Sequence, residues 1–226
     1  LEALERALAA ADEPLVAVQA LNSETGNAQD LGAIGERVRA GGGLLLVDAS
    51  QSAGKLPLPS GVDLAIISAH KFGGPIGIGA LLARDFSMLE PAGGQERGYR
   101  RGTENLPGAL GMAAALDACG QCYCDPDATA LLRSFAAEVR ASGGTWLGDR
   151  LASPTDLIHS LAMPGLSGSA QLMRFDMQGI AVSQGSACSS GTMRTSHVLE
   201  AMGVPQDEAS RTIRVSLGWN TTRAEV

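Results

Sequence analysis

No run of apolar residues in this chain approaches the roughly 18 needed to cross a bilayer, so a membrane-spanning helix is not expected. Basic residues are in the minority, 17 Lys and Arg against 24 Asp and Glu, and they form no run. A formal net charge of -7 without a basic tract argues against nucleic acid or an anionic membrane as a partner. Cysteine is scarce as well. The four are Cys119, Cys122, Cys124 and Cys188, three of them clustered and the fourth remote. That is a poor disulfide framework for a chain of this size, and reduced thiols are the expectation. Residues 1–11 show no secretory signal. They read as an amphipathic helix with Leu1, Leu4 and Leu8 on one face, which leads to a cytoplasmic expectation.

What the chain does have is length for one large or two modest domains: 226 residues, 45% apolar, with 29 glycines. The first half alternates apolar runs with helical patterns. Residues 15–21, 44–48, 63–68 and 78–83 read as strands and residues 30–40 as a helix. Continuous apolar runs of this kind point to an α/β fold with a mostly parallel sheet covered on both faces. Ligands of such sheets gather at the carboxyl ends of the strands, where 22–26, 48–51 and 68–71 are polar. A Gly-, Arg- and Glu-rich stretch, 93–104, precedes helical patterns starting near Leu106 and spanning about 128–141. Strand-like 157–162 follows, then a helix near 170–177, a short apolar piece at 180–183, a Gly/Ser stretch with Cys188, a helix near 197–202 and strand 212–217. This reads as a large domain over 1–115 and a smaller α+β domain over 116–226.

Two positions stand out. Lys71 follows an apolar strand directly and is flanked by His70 and a Gly-Gly-Pro turn. A lysine at a strand end, partly desolvated and beside other cationic groups, has a lowered pKa and can condense with an aldehyde; a surface loop lysine fits the same spacing. Asp48 ends the preceding strand, where a carboxylate suits the ring nitrogen of a pyridine cofactor or, equally, a turn or helix cap. The Gly77-x-Gly79 pair opens a strand rather than a helix, so it is no dinucleotide fingerprint.

Six stretches in order carry a resemblance: 22–26 (NSETG), 47–56 (VDASQSAGKL), 68–81 (SAHKFGGPIGIGAL), 93–105 (GGQERGYRRGTEN), 183–199 (SQGSACSSGTMRTSHVL) and 211–218 (RTIRVSLG). Together they resemble the cysteine desulfurases of the class V pyridoxal-phosphate aminotransferase family, nearest the branch that serves iron–sulfur cluster assembly and nitrogenase maturation. The resemblance implies the type I fold of pyridoxal-phosphate-dependent transferases, here with an incomplete large domain. It implies that Lys71 carries pyridoxal 5'-phosphate, that Asp48 pairs with its ring nitrogen and Gln51 with its phenolic oxygen, and that Ser68 and His70 hold its phosphate. Thr103 matches a threonine that reaches the phosphate of the neighbouring subunit, which implies a homodimer. Arg214 would grip the α-carboxylate of L-cysteine, and a guanidinium fork suits that task.

Cys188 would attack the substrate sulfur and become a persulfide, leaving alanine, before passing sulfur to an acceptor or iron–sulfur scaffold protein. Its small neighbours are not those of a buried structural cysteine. His197 reads as a helix-surface residue or a proton donor. Where the family usually has two asparagines this chain has Asn22-Ser23, so Asn22 is the substrate-side candidate of that pair. The family's ring-stacking histidine and Gly/Ala/Thr phosphate loop precede these motifs, and residues 1–21 match neither. The chain is thus expected to be part of a longer polypeptide or a truncated protein. No metal is expected at Cys119-x-x-Cys122-x-Cys124, whose spacing fits no common zinc pattern. Selenocysteine lyase and a non-catalytic assembly subunit are the competing readings.

Overall fold

The structure, a computed structural model, describes residues 1–58, 60–120, 123–184 and 196–226. The chain forms two compact units: Leu1–Leu21 with Gln29–Tyr123, and Asn22–Ala28 with Cys124–Val226. The boundary expected near residue 115 falls inside a helix, and the short segment Asn22–Ala28 joins the second unit although it is encoded within the first.

The first unit begins with α1 (Glu2–Leu8) and β1 (Leu15–Gln19), and α2 (Leu31–Ala40) follows. Asp30 starts α2 by accepting the Ala33 N–H at 3.0 Å, the side-chain cap that satisfies an otherwise orphaned donor. Then come β2 (Leu44–Asp48), β3 (Leu64–Ser68), β4 (Gly79–Ala83) and α3 (Leu106–Ala118). The sheet order is β1-β2-β3-β4. The first three strands are parallel, and β4 runs antiparallel to β3. The connection 69–78 holds a 3-10 turn and glycines but no crossover helix, so the chain can only fold straight back.

One face of the sheet packs Leu45, Val47 and Ile67 against Ile34 and Val38 of α2, Met112 of α3, and Phe72. On the other face the cover expected from the sequence is incomplete among the described residues. Leu15, Ile66 and Leu81 share that face by register and are 58%, 38% and 51% exposed. Apolar runs alone do not distinguish a strand buried on both sides from one whose second face lies open.

The second unit is built on an antiparallel sheet of order β5-β6-β8-β7, from β5 (Thr145–Trp146), β6 (Ile158–Ala162), β7 (Ser183–Gln184) and β8 (Thr212–Ser216). Its helices are α4 (Pro126–Ala141), α5 (Gly168–Met177), α6 (His197–Ala201) and α7 (Gln206–Ser210). Leu147, Leu199, Val204 and Ala209 form one of its apolar clusters. The apolar piece expected at 180–183 gives a strand only at its end, in β7.

Candidate functional site

Two parallel strands, β2 and β3, end side by side in the first unit. Asp48 lies opposite Ile66 in their register, and the Ala49 N–H donates to the Ile66 carbonyl at 2.9 Å. Beyond that last rung the chain turns through Ser50 and Gln51 on one strand and Ser68 to Lys71 on the other. The Ser50 N–H donates to Asp48 Oδ1 at 2.9 Å, and the Ser50 and Ser68 hydroxyls lie 3.5 Å apart. The sequence-predicted residues Asp48, Gln51, Ser68, His70 and Lys71 therefore gather at the carboxyl ends of two adjacent parallel strands.

Lys71 ends the 3-10 turn Ala69–Lys71, half-buried between buried Ala69 and Phe72. It makes no ion pair or hydrogen bond among the described residues. Gly54 allows this packing: at φ 73° it passes so close to Phe72 that an added Cβ would stand 2.8 Å from the Phe72 Cβ. The sequence holds a further signal. Its lysines number two, Lys55 and Lys71, and Lys55 Nζ lies 5.4 Å from the centroid of the Tyr123 ring. Thr103, by contrast, sits on the exposed stretch before α3, where its carbonyl accepts Arg100 Nη1 at 3.2 Å.

The other candidates belong to the second unit. Arg214, in β8, is half-buried. Its Nη1 donates to the Ser23 carbonyl at 2.8 Å and its Nη2 to the Ser183 hydroxyl at 3.3 Å. Its Nε is buried without a hydrogen-bond partner, and no carboxylate pairs with this guanidinium among the described residues. Asn22 turns its carbonyl oxygen inward, accepting the N–H of Glu24 and of Thr25 at 3.0 Å each and the Thr25 hydroxyl at 3.1 Å. That oxygen builds the 22–28 segment. His197 is exposed on α6. Cys188 and Cys122 lie outside the described residues. The Cys119 thiol donates to the Ala115 carbonyl at 3.2 Å and Cys124 is buried, and no group of three or more metal-binding side chains occurs among the described residues. A cavity of about 390 Å³, lined by Phe135, Val139, Leu161 and Phe175 among others, lies within this unit and holds none of the predicted site residues.

Among the described residues no helix is long and apolar enough to cross a membrane. Curated relatives include a cysteine desulfurase of Cereibacter sphaeroides, 39% identical over 225 residues covering 94% of this chain and 56% of the relative. The cysteine desulfurase IscS of an Anaeromyxobacter species is 38% identical over 236 residues, covering 98% of this chain and 57% of its own length. The chain thus spans a little over half the length of the curated relatives it matches. Among solved structures, a NifS-like protein superposes with a TM-score of 0.83 at 31% identity, covering 99% of this chain and 60% of that one. The NifS-like protein of Rickettsia africae gives 0.82 at 28% identity, with 99% and 62% covered. These neighbours share the type I fold of pyridoxal-phosphate enzymes, and their family, the class-V aminotransferases, has a model that matches residues 1–226 throughout: this chain belongs to the class-V aminotransferase family.

Proposed function

We propose that the protein is a cysteine desulfurase that uses pyridoxal 5'-phosphate to move sulfur from L-cysteine to Cys188. The observation that carries this reading is Lys71, half-buried and without an ion pair or hydrogen bond among the described residues, grouped with Asp48 at the ends of two parallel strands. The side chains there complement the cofactor group by group. Lys71 would offer an amine to its aldehyde, Asp48 a carboxylate to its ring nitrogen, Gln51 an amide to its phenolic oxygen, and Ser68 and His70 a hydroxyl and an imidazole to its phosphate. When bound, the cofactor supplies an electron sink for bonds at the substrate's α-carbon.

The chain's own residues would do the rest. Arg214 would bind the substrate carboxylate, since its buried Nε–H has no partner and a guanidinium binds carboxylate in a fork. Asn22 would shape the loop whose Ser23 carbonyl steadies Arg214. Lys71 would hold and return protons at the α-carbon. Cys188 thiolate would form a bond to the substrate sulfur as the carbon–sulfur bond breaks. The electron pair and a proton then go to the organic part, which leaves as alanine, while sulfur remains on Cys188 as a persulfide. Such a thiol needs a reducing compartment such as the cytoplasm. We place Thr103 in a homodimer contact near the partner's phosphate, and a sulfur-acceptor or iron–sulfur scaffold protein downstream.

The cofactor-loaded protein is expected to show an absorbance band near the edge of the visible range, absent in Lys71→Ala. Borohydride reduction should then place the pyridoxyl mass on the peptide with Lys71 and not on that with Lys55. Labelling of Lys55 alone, or full sulfide release from cysteine in Cys188→Ala, would sink the assignment.

A further inference from the structure

Residues 92–103, between β4 and α3, form a closed loop of the first unit. The Gln95 and Arg100 main chains exchange hydrogen bonds at 3.1 Å in both directions. The Ala92 and Gly93 N–H groups both donate to the Gly98 carbonyl at 2.8 Å. At the tip Glu96 and Arg97 hold φ 49° and 57°, a left-handed backbone that persists only where the surroundings hold it. The guanidinium groups here serve the main chain. Arg101 Nε donates to the Ala92 carbonyl, and Arg100 Nη1 to the carbonyls of Gly102 at 2.9 Å and Thr103 at 3.2 Å. The exposed Thr103 hydroxyl makes no hydrogen bond among the described residues. A ring stack ties the loop back to the sheet. Phe86 follows β4 in a turn started by Asp85 Oδ1, which accepts the Ser87 N–H at 2.8 Å. Its ring stacks on that of half-buried Tyr99, with centroids 5.2 Å apart and planes 26° from parallel. The Tyr99 hydroxyl also donates to the Phe86 carbonyl at 3.3 Å.

An offset aromatic pair of this kind holds its partners more firmly than the area it buries would alone. The links run in series: β4 leads to Phe86, Phe86 holds Tyr99, and Arg100 beside Tyr99 holds the main chain of Thr103. A hydroxyl that must meet a phosphate on another chain binds better when it is held in place beforehand, because less ordering remains to be done. We propose that Tyr99 is a positioning residue for Thr103. By stacking on Phe86 it fixes Arg100, and Arg100 fixes where Thr103 presents its hydroxyl to the phosphate of the cofactor bound by the partner subunit. This rests on the homodimer placement of Thr103 above.

The test titrates the protein with pyridoxal 5'-phosphate, reads the dissociation constant from the absorbance band, and follows the dimer by sedimentation. Thr103→Ala is expected to weaken binding about tenfold and Tyr99→Leu about fivefold, with the dimer intact. Tyr99→Phe, which keeps the stack, should stay within about twofold of wild type. In a Thr103→Ala background Tyr99→Leu should cost no more than about twofold further, because the hydroxyl it positions is gone. A merely structural role would cost the same in both backgrounds. Without cofactor, hydrogen exchange at the Arg100 amide should quicken in Tyr99→Leu and not in Tyr99→Phe. Binding within about twofold of wild type in Thr103→Ala or Tyr99→Leu, or an undiminished loss in the double variant, overturns the proposal. Unchanged exchange at Arg100 in Tyr99→Leu overturns it as well. Should Tyr99→Leu fail to fold, Phe86→Leu removes the stack from the other side, and wild-type binding there overturns it equally. A wild-type protein that binds no cofactor would instead defeat the reading of the site, and the exchange arm would still decide whether Tyr99 holds the loop.

Discussion

His159 carries a pH dependence that can be worked out from its surroundings. It sits in β6 with its ring centroid 5.1 Å from that of Trp146, and its Nε2 is buried with no hydrogen-bond partner. Burial pushes its pKa below the ordinary 6.5, opposed in part by a hydrogen bond to the Asp156 main chain. The folded protein therefore holds this imidazole neutral over a range where the unfolded chain protonates it. Between 6.5 and the lowered folded value the unfolded state binds more protons, so stability falls as pH drops through that window and levels off beneath it. Unfolding in urea at pH 7.5 and pH 5 should show a loss toward acid that is smaller in His159→Leu than in the wild type. An equal loss in both proteins would mean the imidazole is not responsible.

Packing between elements depends on close approach at a few positions, and Gly26 is the tightest of them. It has φ 76°, and a Cβ added there would stand 2.0 Å from the Ile158 carbonyl oxygen of β6. Gly26→Ala meets both a left-handed backbone and a main-chain clash that no side-chain rotation relieves, so a loss of about 2–4 kcal/mol is expected in urea unfolding. A variant as stable as wild type would show that the segment can move away from β6. The sequence had marked this position only as part of a polar strand end. Elements whose pattern is long or continuous were legible: β2 has the expected limits, and α2 begins one residue after its capping Asp30. Two-residue β5 and five-residue α7 were not, because no periodicity can be read over so few residues. The strand-end cluster around Lys71 was legible for a local reason, since its residues lie within a few positions of β2 and β3. Glu24 was not, because its partner Ser196 lies 172 residues away and neither residue stands out locally.

At the scale of the whole molecule, chain order and compact unit disagree, and that disagreement is testable. The second unit is formed by Cys124–Val226 and by seven residues encoded between β1 and α2. Those few residues satisfy several of its polar groups. Glu24 O accepts the Ser160 hydroxyl at 2.6 Å, Gly26 O accepts the Thr155 N–H and hydroxyl at 3.0 Å each, and Asn27 Oδ1 accepts the Ser153 N–H at 3.1 Å. Ser160 is 2% exposed, so without Glu24 its hydroxyl would be left buried and unpaired. The guanidinium of Arg214 would lose its shortest hydrogen bond and Ser196 its carboxylate. Each such loss costs about 1–3 kcal/mol, and several together approach the 5–15 kcal/mol that holds a whole domain folded. A fragment of residues 124–226 should therefore keep its far-ultraviolet helix signal but lose the near-ultraviolet signal of Trp146, and unfold in urea without a sharp transition. A cooperative transition with an intact aromatic signal would refute this. It would also show that β6 and β8 hold their register without the segment that hydrogen-bonds to them.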